Sequence, residues 1–210
     1  MPPLDPITFD TTGFVFKGDH DGVPVWHTPA GDGLGIFYYP EPPDTKLLTN
    51  SVDEVRAFYR NEAQASGGAI LEVDVLELDG CKTIKTIIKV PQKPKGMGYL
   101  GSLTLPFRDF SYVLKIQCLE RGITGMRDSV IFSTYLKSGE VTLGKDGQIL
   151  GWMQDPYEPS LISALAKNKS EAEEYDSQFP QHPLSRLRRI LAQVQPTLKI
   201  SEEIRRGPQD

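Results

Sequence analysis

Hydrophobic and polar residues alternate along "LEVDVLELDGCKTIKTIIKV", Leu71 to Val90, on either side of the Asp79-Gly80 pair. Asp-Gly between two alternating runs predicts a two-residue hairpin turn, because both central positions take positive φ. Pairing Leu78 with Cys81 then sets Val75 opposite Ile84, Val73 opposite Thr86 and Leu71 opposite Ile88 on one face, and Asp74 opposite Lys85 with Glu72 diagonal on the other. A slip of one residue would mix charge and apolar side chains on both faces, so the pattern itself fixes the register. The charged face reads as solvated, its carboxylates held ionised by cross-strand lysines rather than poised for acid/base chemistry. Cys81 falls on that outer face.

The same reasoning about a turn at Arg108 and Asp109 sets Phe107 against Phe110, Leu105 against Tyr112, Leu103 against Leu114 and Tyr99 against Cys118, which buries Cys118; Thr104, Ser102, Lys115 and Gln117 take the other side. Before the hairpins, "SVDE" at Ser51 forms a capping box that starts a helix from about Val52 to Ser66, with Val52, Val55, Phe58 and Tyr59 on one stripe and Gly67-Gly68 as its stop. A second helix is expected from about Thr124 to Lys137, with Thr124 as N-cap and Met126, Val130, Ile131 and Leu136 on its apolar side. A third follows Pro183 and carries Leu184, Leu187, Ile190, Leu191 and Val194 at helical spacing. Upstream of Asp44, "GFVFKG", "VPVWHT" and "LGIFYYP" read as strands separated by turns, and the polar "KNKSEAEEYDSQFPQ" reads as an exposed connection. These elements predict an α+β chain: a core domain over residues 1–138, and a turn-rich extension over 139–210 that ends in an amphipathic helix.

The order of strands, capped helix, two hairpins and helix, with "LEVDVLELDGCKTIKTIIKV" after the helix, resembles the PsbP-like fold. That fold is shared with the Ran-binding Mog family and with a group of bacterial proteins that includes secretion chaperones and adaptors. The resemblance spans about Phe14 to Lys137 and leaves the tail from Gly139 outside. It implies an antiparallel sheet packed by helices, in a domain whose relatives mostly bind proteins and rarely catalyse. It transfers no site residue, because fold alone does not decide function.

Composition narrows the classes. With 39% hydrophobic and 24% charged residues over 210 positions, the chain is of ordinary globular type. A formal charge of −5 and a pI near 5.3 argue against nucleic acid or an anionic membrane surface as partner, since both require a basic footprint. The start, "MPPLDPITFDTTGF", has no basic segment followed by an apolar run, and no stretch reaches the roughly 18 consecutive apolar residues of a spanning helix. Two cysteines without a C-x-x-C pair fit a reducing compartment, so a cytoplasmic location is expected.

Candidate chemistry is sparse. In "GDHDGVPVWHTPAGDG", a calcium loop starting at Asp19 would place Val23 at its fifth position and Ala30 at its twelfth, where oxygen ligands are required. His20 and His27 lack a third ligand at a zinc spacing, and the Asp-Gly pairs suit turns. "GDGLG" leads into a strand rather than a helix, so it reads as a turn and not a phosphate cradle. Cys81 is the remaining candidate thiol, and no histidine is placed beside it. No catalytic set, metal or cofactor is therefore expected. Two segments suit a partner. "GWMQDPYEP" offers Trp152 and Tyr157 either as interface aromatics or, for Trp152, as a plug for the core; Arg186, Arg188 and Arg189 form either a solvated face or a site for an acidic protein. The sequence thus reads as a non-enzymatic domain (adaptor, chaperone or immunity-type protein) binding one protein partner in the cytosol. The alternative is a small-molecule-binding or hydrolytic enzyme whose site assembles only in three dimensions; convergent polar groups would mark the enzyme and an apolar patch the binding module.

Overall fold

The computed structural model describes residues 6–49, 51–161, 163 and 165–205. Its strands are β1 (Ile7–Thr8), β2 (Val15–His20), β3 (Val23–His27), β4 (Gly33–Tyr39), β5 (Ala69–Leu78), β6 (Cys81–Pro91), β7 (Met97–Pro106), β8 (Ser111–Leu119), β9 (Thr142–Leu143), β10 (Ile149–Leu150), β11 (Met153–Gln154), β12 (Lys167–Asn168) and β13 (Lys199–Ile200). The helices are α1 (Thr45–Leu48), α2 (Val52–Ala65), α3 (Met126–Ser138), α4 (Pro183–Val194) and α5 (Glu202–Arg205). One antiparallel sheet of seven strands, in the order β2-β3-β4-β8-β7-β6-β5, forms the frame, with helices against both its faces. The class is α+β, as the alternation predicts.

Both hairpins take the registers that their patterns dictate. Asp79 and Gly80 turn with φ of 49° and 78°, and Leu78 pairs with Cys81, Val75 with Ile84 and Asp74 with Lys85. In the second hairpin Tyr99 pairs with Cys118, Leu103 with Leu114 and Leu105 with Tyr112. One pairing differs. A bulge between Ile70 and Glu72 places Ile70, not Leu71, opposite Ile88, and turns Leu71 to the other face, where it is 1% exposed.

The ladder β5-β6-β7-β8-β4 explains why each hairpin has one apolar face. Val73, Thr86, Ser102, Lys115 and Gly35 stand in one row across it, so the apolar face of the first hairpin continues into the polar face of the second. The core therefore changes sides along the sheet. On one side α2 lays Val55 and Ala63, with Phe58 and Tyr59, over Ile70, Val73 and Ile84. On the other, α4 lays Leu184, Leu187, Leu191 and Val194 over Leu103, Leu105, Leu114 and Cys118. Gly101 permits that approach, since a Cβ there would lie 2.7 Å from Leu187 Cδ1.

The extension corrects several expectations. Cys81 is 1% exposed, because Ile200 and Ile204 join its cluster and cover the face that the hairpin pattern leaves open. The connection after Lys167 is buried at Ser170 and Glu171, both 0% exposed, where Glu171 meets Lys89 at 2.8 Å. The charged face of β5 and β6 keeps its cross-strand partners, Lys85 to Asp74 at 2.9 Å and to Glu72 at 3.2 Å, but Arg188 of α4 adds a contact to Glu72 at 2.6 Å and half covers it. The α3 helix begins at Met126 with Gly125 as its N-cap, and it is rotated from the expected stripe: Met126, Val130 and Leu136 are exposed, while Ile131 and Arg127 are buried. Arg127 tolerates burial because its guanidinium donates to the carbonyls of Ser170 and Ala172 and to Asp176 and Ser185. No helix among the described residues is long and apolar enough to cross a membrane.

Candidate functional site

Because the core changes sides, the α2 side of the sheet is covered only over β5 and β6. Beyond them it forms an open groove of about 880 Å³. Its floor is two neighbouring rows of the sheet: Thr86, Ser102, Lys115, Gly35 and Val25 in one, Ile88, Leu100, Gln117, Gly33 and His27 in the next. One wall is Phe58, Tyr59 and Glu62 of α2, continued by Glu41, Pro42 and Pro43 ahead of α1. The α2 wall stands where it does because Ser51 caps the helix, its hydroxyl accepting from the Glu54 amide; the Ser51 amide is bonded to Thr49 Oγ1 instead of to Glu54.

Gly33 deepens the groove, since a Cβ there would find only the His27 imidazole, at 3.9 Å; at Gly35 the side chains of Phe37 and Val23 close over the backbone, 3.2 Å from where a Cβ would stand. The polar groups of the floor pair locally. Thr86 and Ser102 hydroxyls are 2.7 Å apart, and Tyr59 Oη donates to Thr104 Oγ1 at 3.3 Å. Burial raises the Tyr59 phenol above its ordinary range, which keeps it a neutral donor. Lys115 projects from the centre of the floor, donates to Tyr39 Oη at 2.5 Å and lies 4.7 Å from the centre of the Phe37 ring. The groove can thus hold apolar surface, with one ammonium and a few hydroxyls to orient it.

The residues singled out in the sequence lie elsewhere, and three of them are bonded within the fold. Trp152, 8% exposed, stands edge-on to Phe132 at 5.1 Å and packs with Ile131 and Val141, so it is the core plug of its two readings. Tyr157 guards the edge of β5: its hydroxyl accepts from Val73 N at 2.6 Å and donates to Val73 O at 3.2 Å, satisfying a backbone unit that would otherwise template another strand. Arg60 anchors that loop through Asp155 at 2.8 Å. Arg186 is buried on Asp32, which it grips with two nitrogens at 2.8 and 2.9 Å. Arg189 is exposed on α4. Tyr157 and Arg186 bind opposite parts of the sheet, β5 and the start of β4, and form no common surface.

The thiols do not enter the groove. Both are free and lie in the α4-side core, where burial pushes each above its usual range, helped by Asp79 at Cys81 and by Asp32 at Cys118. The signal for the groove was present in "GDGLG", whose glycines are two apart and therefore share one face of a strand. It becomes a cavity only when β8 pairs with β4.

No family model and no curated protein matches the chain. Among solved structures it is similar to a Pseudomonas aeruginosa protein of unknown function, at 7% identity and a TM-score of 0.37, over 63% of this chain and 97% of the other. It is also similar to cyanobacterial PsbP from Synechocystis sp. PCC 6803, at 15% identity and a TM-score of 0.36, over 65% of this chain and 85% of the other. The sheet packed by helices that the PsbP-like resemblance implies is present here; the groove's chemistry has to be argued from its own residues.

Proposed function

We propose that this protein is a non-enzymatic binding domain of a reducing compartment such as the cytosol, and that its groove receives an apolar segment of one protein partner. The observation that carries this reading is the open half of the α2 side, where a mostly apolar concavity continues the α2 core outward and Gly33 leaves part of its floor bare. Nucleophilic catalysis would require a hydroxyl or thiol held by a base there, and the ionisable groups of the lining, His27, Glu41, Glu62 and Lys115, come from four separate parts of the chain. The Thr86 and Ser102 hydroxyls bond each other, Thr104 is taken by Tyr59, and the cysteines lie behind the sheet. The free, buried thiols support the reducing compartment.

Affinity capture from native lysate with the wild type and a Gly33→Leu variant tests the proposal. The leucine Cβ meets the His27 imidazole only at ordinary van der Waals distance, so the variant is expected to unfold at an unchanged temperature and to lose the captured protein. Capture that persists with the groove filled would remove the groove from the binding surface.

A further inference from the structure

Two lysines of this sheet are neutralised by carboxylates of the fold. Lys85 lies 2.9 Å from Asp74, and Lys89 lies 2.8 Å from Glu171. Lys115 differs: among the described residues it forms no ion pair, and its ammonium is held instead by Tyr39 Oη and by the faces of Phe37 and Tyr39, at 4.7 and 5.1 Å from the ring centres. An ammonium has three protons to donate, and Tyr39 takes one. The remaining two stand over a floor whose immediate neighbours in the row are Ser102 and Gly35, neither of which brings a charge. The carboxylates of the groove belong to its wall, Glu62 on α2 and Glu41 in the segment ahead of α1.

We infer that the partner segment seated in the groove is apolar with a single acidic side chain at its centre, which pairs with Lys115. This rests on the groove being the binding surface. The charges make the preference specific: a carboxylate over the floor gains a charge-assisted bond to Lys115, whereas further acidic residues toward the wall would meet Glu41 and Glu62. A polyacidic segment is disfavoured, and so is a wholly apolar one.

Selection of a displayed peptide library on wild type, Lys115→Gln, Lys115→Glu and Gly33→Leu proteins reads this directly, with thermal unfolding of each variant as the control for folding. The wild type is expected to enrich apolar peptides with Asp or Glu at one fixed position. On Lys115→Gln the acidic preference should vanish while the apolar one stays, and Lys115→Glu should favour Lys or Arg at that position. A synthetic peptide from the wild-type selection should lose roughly tenfold in affinity when its acid is changed to the amide, and lose nothing on Lys115→Gln. The same acidic preference on all three Lys115 forms, or none on the wild type, overturns the inference. Enrichment that survives Gly33→Leu, or no enriched peptide at all, overturns the groove reading beneath it.

Discussion

Removing the Glu171 carboxylate should unfold the joint between the sheet and the extension. Glu171 is 0% exposed and holds three donors: Lys89 Nζ at 2.8 Å, Tyr99 Oη at 3.1 Å and the Asn168 amide at 2.7 Å. Lys89, 1% exposed, is left in Glu171→Ala as a buried ammonium without a counter-charge, which typically costs about 3–5 kcal/mol. The orphaned Tyr99 hydroxyl and Asn168 amide each carry a further penalty of about 1–3 kcal/mol, which water entering the vacated space offsets in part. A loss of about 4 kcal/mol is a large share of the 5–15 kcal/mol that stabilises a typical domain, measured as a drop in urea midpoint at unchanged slope. Replacing the pair as a whole should be milder: Lys89→Met with Glu171→Leu removes both charges and so the unpaired ammonium, leaving only the Tyr99 hydroxyl and the Asn168 amide without their acceptor. The double variant is therefore expected to be more stable than Glu171→Ala. A cost below about 1 kcal/mol for Glu171→Ala, or a double variant as unstable as the sum of its singles, would return the segment after Lys167 to the solvated connection that its composition suggests.

Three further outcomes follow from single groups. The His182 imidazole accepts from the Leu184 amide at 3.3 Å, and burial, with Arg127 nearby, lowers its pKa to about 3. The unfolded chain takes up that proton near pH 6.5 and the folded one does not, so stability should fall by about 1.4 kcal/mol per unit as pH drops below 6.5; unfolding between pH 7 and about 5 should be flatter in His182→Asn, which keeps a cap without titrating. Cys81 and Cys118 should both resist a thiol reagent in the native protein and react on unfolding, and fast labelling of Cys81 would show that the segment around Ile200 and Ile204 does not cover it. Calorimetry should rank Trp152→Ala, a cavity of about 3–5 kcal/mol, well above Tyr157→Phe, which frees one backbone unit of β5 at about 1–2 kcal/mol; equal costs would contradict the roles given to the two residues.

Much of the frame is legible in the chain because period-2 patterning fixes register. Val73, Asp74 and Lys85 stand where alternation puts them, and α4 shows Leu184, Leu187, Ile190 and Leu191 at the spacing read from the sequence. What alternation cannot say is which neighbour covers a face. Asp74 and Lys85 read as solvated because charge usually is, yet on the same side Lys89 is buried by Glu171, a partner 82 residues away. Arg127 and Arg186 hide for the same reason: their compensating groups come from Ser170, Ala172, Asp176 and Asp32, distant in sequence. The Leu71 bulge leaves no mark in the pattern, because Ile70 and Leu71 are both apolar and either could face inward. The groove was the least legible feature. It consists of a missing side chain at Gly33 and of an area of the sheet beyond α2, so it arises from the sheet order rather than from a motif.

The most direct measurement is site-specific photo-cross-linking to the captured partner, with benzoylphenylalanine placed at Gln117 on the groove floor or at Arg189 on the exposed side of α4, both positions open to solvent. Adducts from Gln117 and none from Arg189 are expected. The reverse would move the partner to α4 and contradict the groove as the functional site.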